Sequence, residues 1–198
     1  IVPVDYNTHN TAFLVAHFHN MLVPGVLFGY VAGYMYWFPK AFGFTLNQKW
    51  GIRAFWGWAI GFTLAFMPLY ALGLMGLPRR TANIYDPSFL PLLIVAFIGA
   101  LCVLFGIVAL LVQLYVSVRD RAQNRDLTGD PWDGRSLEWS IPSPPPAFNF
   151  ARIPIVDQLD AFAEAKRAGR KLQYEPAGPV DLPVPTIVPM VMGVSAFL

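Results

Sequence analysis

Residues 89–118 read FLPLLIVAFIGALCVLFGIVALLVQLYVSV, without a single Asp, Glu, Lys or Arg. Residues 6–39 and 54–78 also lack these four residue types. A helix needs roughly 20 apolar residues to cross the hydrocarbon core of a bilayer, so each stretch is long enough. The whole chain has 198 residues, 56% of them hydrophobic and 13% charged, whereas soluble domains are about 25% charged. This composition excludes a soluble enzyme and a disordered tail, and the single cysteine excludes a disulfide scaffold.

We therefore predict an all-α polytopic membrane protein with three complete transmembrane helices and the start of a fourth. The predicted spans are 11–38, 54–77 and 89–118, all within a membrane region that covers residues 1–118. We expect Pro39-Lys40 to end the first span. Residue 1 is Ile, and the apolar run at 189–198 stops in mid-course. We therefore expect the chain to be part of a longer membrane polypeptide.

The segment 119–182 is polar and rich in proline. Its run Ser143-Pro144-Pro145-Pro146 is typical of an extended strap. Residues Asp157 to Lys171 carry apolar side chains at helical spacing and are predicted to form a short amphipathic helix. Residues 183–198 are predicted to begin a further transmembrane helix.

The distribution of Lys and Arg predicts the orientation of the chain. Three such residues lie in the 40–53 loop and many follow Val118, so we expect these two segments to be cytoplasmic. Three spans then place residues 1–10 on the outer side, together with the adjacent pair Arg79-Arg80. Arginines are least expected on that side, which indicates an anionic partner. The alternatives are a different topology and an arginine pair that snorkels to the interface.

The three histidines, His9, His17 and His19, all lie near the start of the chain. His17 and His19 fall inside the first span, where metal-ligating side chains are costly and usually functional. Two residues at i and i+2 point about 200° apart on a helix, so they cannot share one metal. The alternative for a single buried histidine is a hydrogen bond to a neighbouring helix. For two, the simplest interpretation is a pair of haems that flank one helix, since imidazole is a common axial ligand.

Two haems would also account for the arginines. Haem propionates are carboxylates, and arginine binds carboxylates with two parallel hydrogen bonds. Arg79 and Arg80 are predicted on the same side of the membrane as His17 and His19, which lie within about two turns of the outer start of the span.

Several motifs resemble subunit I of the haem–copper terminal oxidases. Asp5-Tyr6-Asn7-Thr8-His9-Asn10-Thr11 followed by Val15-Ala16-His17-Phe18-His19 is similar to the signature around the family's tenth helix. Arg79-Arg80 after Gly76-Leu77-Pro78 is similar to its propionate-binding arginines. Leu127-Thr128-Gly129-Asp130-Pro131-Trp132, Leu137-Glu138-Trp139 and the triple proline resemble the stretch after its twelfth helix. The resemblance covers essentially the whole chain and implies the carboxy-terminal part of a twelve-helix bundle.

The resemblance also implies roles for individual residues. His17 would be the axial ligand of the high-spin haem, where oxygen is reduced, and His19 an axial ligand of the low-spin haem. Asp5, His9, Arg79 and Arg80 would bind propionates or their water network. The family's copper ligands lie on earlier helices and are expected outside this chain.

Finer details resemble the bo-type, ubiquinol-oxidising branch. Where cytochrome c oxidases have a magnesium-binding Asp after the equivalent of His9, this chain has Asn10. The branch implies a low-spin haem b, a high-spin haem o (or a), copper, and proton pumping coupled to the reduction of oxygen to water. It implies the remainder of subunit I, subunits II, III and a small subunit IV, ubiquinol, oxygen and membrane lipid as partners, with no nucleic acid. The expected location is the bacterial inner membrane.

Two alternatives remain. The first is the same role in a cytochrome c oxidase of the aa type, against which Asn10 and the trailing apolar segment argue. The second is a haem-free structural membrane subunit, in which His17 and His19 would ligate no metal.

Overall fold

The structure is a computed structural model that describes residues 2–156, 158–170, 178, 180–182 and 186–196. Three helical stretches are long and apolar enough to cross a membrane: Ala12–Phe42, Gln48–Leu74 and Pro87–Arg119. Within the described ranges the regular elements are all helical. The predicted fold class, an all-α polytopic membrane protein, is therefore confirmed.

Residues 1–126 form one compact unit. Its helices are α1 (Val2–Thr8), α2 (Ala12–Leu22), α3 (Phe28–Phe42), α4 (Gln48–Leu74) and α5 (Leu90–Arg119). A π-helical turn, Val23–Leu27, joins α2 to α3 without a break, so the two form the first long helix. In this turn the N–H of Phe28 donates to the carbonyl of Val23. Pro24, which lies in the turn, has no N–H to continue the regular ladder.

The end of the first helix differs from the prediction that Pro39-Lys40 would terminate it. The helix runs through Pro39 to Phe42, and Gly43 ends it with a φ of 75°. The N–H of Gly43 donates to the carbonyl of Pro39 over 2.8 Å. Glycine enters this left-handed conformation without steric cost and is the common stop signal of helices. The proline removes only its own donor and does not end the helix.

The second long helix also begins and ends earlier than the predicted span 54–77. Asn47 precedes α4, and its side-chain oxygen accepts a hydrogen bond from the N–H of Trp50 over 3.2 Å. Such a cap satisfies a backbone donor that has no partner within the helix, so the helix starts before the apolar run. It ends at Leu74, and Gly76 follows with a φ of 93°.

Small residues set the distance between α4 and α5. A Cβ atom added at Gly99 would lie 2.2 Å from the backbone nitrogen of Ala65, and one at Gly61 would lie 2.6 Å from that of Val103. Gly57 and Gly106 meet in the same way, with a Cβ at Gly57 only 2.9 Å from the Gly106 Cα. The two backbones are therefore in direct contact, which is how helices gain packing energy in a membrane.

A short backbone bridge closes the end of this unit where α3 stops and α4 starts. Phe44 pairs with Arg125, and the N–H of Thr45 donates to the carbonyl of Asn124 over 2.9 Å. Next to it, the buried Ser117 accepts a hydrogen bond from the N–H of Asn47 over 2.8 Å. The start of α4 is thereby tied to the end of α5.

Residues 127–198 form a second compact unit. It contains a 3₁₀ turn at Leu137–Ser140, α6 (Ala161–Arg167) and α7 (Val188–Ser195). Helix α6 lies within the predicted amphipathic segment, whose end residues Asp157 and Lys171 lie outside the described residues. Helix α7 lies where a further span was predicted to begin, and residues 183–185 and 197–198 of that prediction lie outside the described residues.

Lys166 ties α6 to the loop before the 3₁₀ turn. Its ammonium donates to carboxylate oxygens of Asp130 over 2.9 Å and Asp133 over 2.6 Å, and to the carbonyl of Gly134 over 2.6 Å. Burial acts to lower the pKa of Lys166, but these carboxylates outweigh it and raise that pKa. Close by, Trp139 is buried against Gly134, the position at which any side chain would collide with the indole.

Replacing Gly99 with alanine tests the close packing of α4 and α5. The new methyl group would overlap the Ala65 backbone, and overpacking of this kind costs roughly 1–3 kcal/mol. We expect the thermal midpoint of the assembled complex to fall. Gly29→Ala is the matched control, because a Cβ there meets no atom within 4 Å in this structure. Equal midpoints for the two variants would contradict the packing described here.

Candidate functional site

The start of the histidine-bearing helix is paired with the loop that carries the two arginines. The N–H of Ala12 donates to the carbonyl of Leu77, and the N–H of Arg79 donates to the carbonyl of Asn10, each over 2.9 Å. Between them Thr11 and Pro78 form an antiparallel bridge. The structure thus brings residues 5–19 and residues 79–80 to the same end of the first unit.

The backbone on both sides of this bridge is unusual. Asn10 has a φ of 59° and Arg80 a φ of 63°. Residues with a side chain seldom adopt this left-handed conformation, although Asn tolerates it. At Arg80 the conformation is more costly, and such strain often marks functional sites. Arg79 is half-buried and Arg80 is exposed.

His19 is held on the side of α2 that faces α4. Its ring stacks on that of Phe66, with centroids 4.3 Å apart and planes 20° apart. Its Nδ1 lies 2.8 Å from the carbonyl oxygen of Val15. A carbonyl can only accept, so Nδ1 carries a proton, and in the neutral ring the lone pair is therefore on Nε2. This tautomer, fixed by a hydrogen bond through the other ring nitrogen, is the form that ligates a metal.

His17 lies on a different face of the same helix. Its side chain is exposed and lines a cavity of about 310 Å³ with Asp5 and with apolar and hydroxyl side chains of α1 and α2: Val4, Thr8, Phe13 and Leu14. Helix α2 is a regular α-helix from Ala12 to Leu22, so the rings at 17 and 19 stand about 200° apart. The structure therefore does not bring the two histidines to a common metal.

Asp5 and His9 occupy successive turns of the chain beside this cavity. The Oδ2 atom of Asp5 lies 3.9 Å from Nδ1 of His9, and both side chains are largely exposed. The backbone N–H of His9 donates to the carbonyl of Asp5 over 2.7 Å. Neither side chain is locked in place, so both remain accessible to a polar group near His17 or the arginines.

These observations argue against one compact metal centre shared by the two histidines. No group of three or more His, Cys, Asp and Glu side chains stands together in the described ranges. One histidine has an oriented ring with a free Nε2, and the other faces open space. The sequence did not single out Phe66, which orients His19. It marked Asn10 and Leu77 as parts of motifs but did not predict that their main-chain carbonyls pair the two segments. Phe66 is one of 16 phenylalanines, and nothing in its sequence surroundings distinguishes it.

Comparison with known proteins identifies the family. Residues 1–102 match the family described as "Cytochrome C and Quinol oxidase polypeptide I". The chain belongs to this family. It is 55% identical over 165 residues to the cytochrome bo(3) ubiquinol oxidase subunit 1 of Buchnera aphidicola subsp. Baizongia pistaciae, a match that covers 83% of this chain and 25% of the relative.

Two further relatives come from other organisms. The ubiquinol oxidase subunit 1 of Acetobacter aceti is 53% identical over 171 residues, which is 85% of this chain and 26% of the relative. A probable cytochrome c oxidase subunit 1 of Bradyrhizobium diazoefficiens is 48% identical over 179 residues, which is 90% of this chain and 27% of the relative. The chain thus spans about a quarter of the length of these curated relatives.

Membership confirms the resemblance read from the motifs. The family is that of haem–copper oxidase subunit I, so haem and copper are its general cofactors and its members assemble with other subunits. Together with the three long apolar helices, membership makes this chain a multi-pass membrane protein.

The two histidines are expected to fail differently when each is replaced by alanine in the assembled complex. If His17 and His19 ligate different haem irons, as the family resemblance implies, His17→Ala should abolish carbon monoxide binding and leave the low-spin band. His19→Ala should instead abolish the low-spin band. Optical difference spectra measure both. Thr63→Ala is the control, because this exposed α4 residue bonds only to the Ala59 carbonyl of its own helix and is assigned no part in the site; it should keep both haems. Loss of the same haem in the His17 and His19 variants would contradict two sites.

Arg80→Gln should lower the midpoint potential of the nearer haem by tens of millivolts, because a cation beside a haem favours the added electron. Redox titration measures the shift. Arg121→Gln removes a charge at the opposite end of α5 and should leave the potential unchanged. A potential in Arg80→Gln that overlays the parent would show that Arg80 does not contact the haem or its propionates.

Proposed function

We propose that this chain is part of the catalytic subunit of a proton-pumping terminal oxidase that oxidises ubiquinol and reduces oxygen to water. His17 is the axial ligand of a high-spin haem, of type o or a, and His19 an axial ligand of a low-spin haem b. Arg79, Arg80, Asp5 and His9 bind the propionates or their water. The observation that carries the proposal is the ring of His19, oriented by Phe66 and with Nε2 left free.

Under this proposal, different residues of the chain would orient the axial ligand and bind the carboxylates. When bound, the two haems carry electrons to oxygen. Val15 and Phe66 keep the His19 ring in one tautomer and one plane, so that it ligates without reorganisation. The main-chain pairing of residues 10–12 with 77–79 presents Arg79 and Arg80 to carboxylates, which they neutralise. The exposed Asp5 and His9 would contact the propionates or their water at that end of the bundle.

The rest of the machinery belongs to other parts of the complex. The copper ligands and the second axial ligand of the low-spin haem come from the remainder of subunit I. Subunits II and III and a small subunit IV complete the assembly in the bacterial inner membrane. The chain's share of its relatives' length supports a remainder of subunit I, and the other subunits are what the family resemblance implies.

A cytochrome c oxidase is the second candidate, because one relative at 48% identity carries that name. The chain's Asn10 separates the two proposals. Its backbone carbonyl holds Arg79, and its side chain is an amide where cytochrome c oxidases have a magnesium-binding carboxylate. A neutral amide is a weaker ligand for a hard cation than a carboxylate.

The electron donor tests this choice directly. We expect the purified complex to oxidise a ubiquinol analogue rapidly and reduced cytochrome c poorly, because nothing in the chain favours the magnesium site of the cytochrome c branch. Oxygen consumption with each donor is the measurement, and a haem–copper inhibitor such as cyanide gives the background. Fast turnover with cytochrome c and none with quinol would move the chain to the second candidate.

A further inference from the structure

An open groove runs between α4 and α5 on the side away from the histidines. Its volume is about 490 Å³, and its walls are large apolar side chains that are each roughly half exposed: Ile52, Trp56 and Ile60 from α4, and Ile98, Leu101 and Phe105 from α5. Gly57 lies at its floor. Ala54 and Trp58 face a separate apolar cavity shared with α3, so the groove belongs to the opposite side of α4.

The groove exists because of the glycine contacts described above. Gly57 and Gly106 bring the two backbones together, while the bulky residues on each side stand up from the helix surfaces. The result is a narrow channel parallel to the helices. From Ile52 to Ile60 it is about 12 Å long, at 1.5 Å per residue. A hydrocarbon chain fits such a channel, whereas a whole helix is about 10 Å wide.

One charged side chain, Arg53, lines the groove, and it does so at one end. Its guanidinium lies 4.6 Å from the centroid of the Trp50 ring, which holds it near the start of α4. The other end, around Ile60 and Ile98, is uncharged, and the thiol of Cys102 also lines the groove there. The groove therefore has one cationic end near the predicted membrane surface and an apolar body that points into the bilayer.

We propose that this groove binds an anionic glycerophospholipid, with the phosphate on Arg53 and one acyl chain between α4 and α5. Charge complementarity favours an anionic head group, because Arg53 lies at the end that the Lys and Arg distribution assigns to the cytoplasm. Anionic lipids give the cytoplasmic leaflet its negative surface potential. Arginine also binds phosphate with two parallel hydrogen bonds. The tryptophan beside it is typical of residues at the membrane interface.

A photoactivatable phosphatidylglycerol, with a diazirine in its acyl chain, tests the proposal on the assembled complex. We expect adducts on the peptides that contain Ile60 and Leu101, and fewer with a phosphatidylcholine probe of the same chains. Arg53→Gln should reduce phosphatidylglycerol labelling about fivefold, the factor expected for one cation at an anionic lipid surface. It should reduce phosphatidylcholine labelling by less, because the choline group already neutralises the phosphate of that lipid. Arg121→Gln, at the same end of the bundle but outside the groove, should match the parent.

A second pair of variants tests whether the acyl chain lies between α4 and α5. Ile98→Trp narrows the groove and should reduce labelling by both probes. Ile94→Trp makes the same change one turn away, at a residue that is equally exposed but does not line the groove. Haem spectra confirm assembly of each variant.

Three results would overturn the proposal. Equal labelling by the two probes in the parent would show that the groove does not distinguish the two head groups. If phosphatidylglycerol labelling is unchanged in Arg53→Gln, Arg53 does not bind the head group. An absence of adducts in the groove, with crosslinks from this face to another polypeptide instead, would show that a protein helix covers it.

Discussion

The backbone pairing between residues 10–12 and 77–79 is the constraint on which the candidate site depends. Its hydrogen bonds join main-chain atoms, and the buried side chains of Ala12 and Leu77 belong to one apolar cluster. The two segments are far apart in the sequence. Without it, the loop after α4 would have no fixed relation to the helix that carries His17 and His19. With it, two guanidinium groups and the histidine-bearing helix share one end of the bundle. That juxtaposition is what a buried carboxylate-bearing cofactor requires.

The groups at this end differ in how firmly they are held. His19 is oriented from two directions, by the Val15 carbonyl and the Phe66 ring. His17, Asp5 and Arg80 present exposed side chains. This difference fits a chain in which one proposed ligand, His19, is already oriented by contacts with α2 and α4. Under the proposed function, the exposed groups would be completed by cofactor and by the parts of subunit I outside this chain.

Much of the fold follows from simple rules, and the exceptions have physical causes. The charge-free runs predict three spanning helices, and the 3.6-residue period predicts that His17 and His19 face apart. The same rules misplace the end of the first helix, because Gly43 and not Pro39 stops it. The π turn at Val23–Leu27 and the stacking on Phe66 depend on packing between helices, so local sequence does not reveal them. The register of α4 against α5 likewise depends on contacts between distant glycines.

The central claim is that this chain contributes axial ligands to two different haems in one complex. Reduced-minus-oxidised and carbon monoxide difference spectra, recorded on the same purified complex, test it most directly. The account predicts one haem that binds carbon monoxide and a second, six-coordinate haem that does not. A complex without haem bands would favour the structural subunit, and a single haem species would contradict the assignment of His17 and His19 to separate sites.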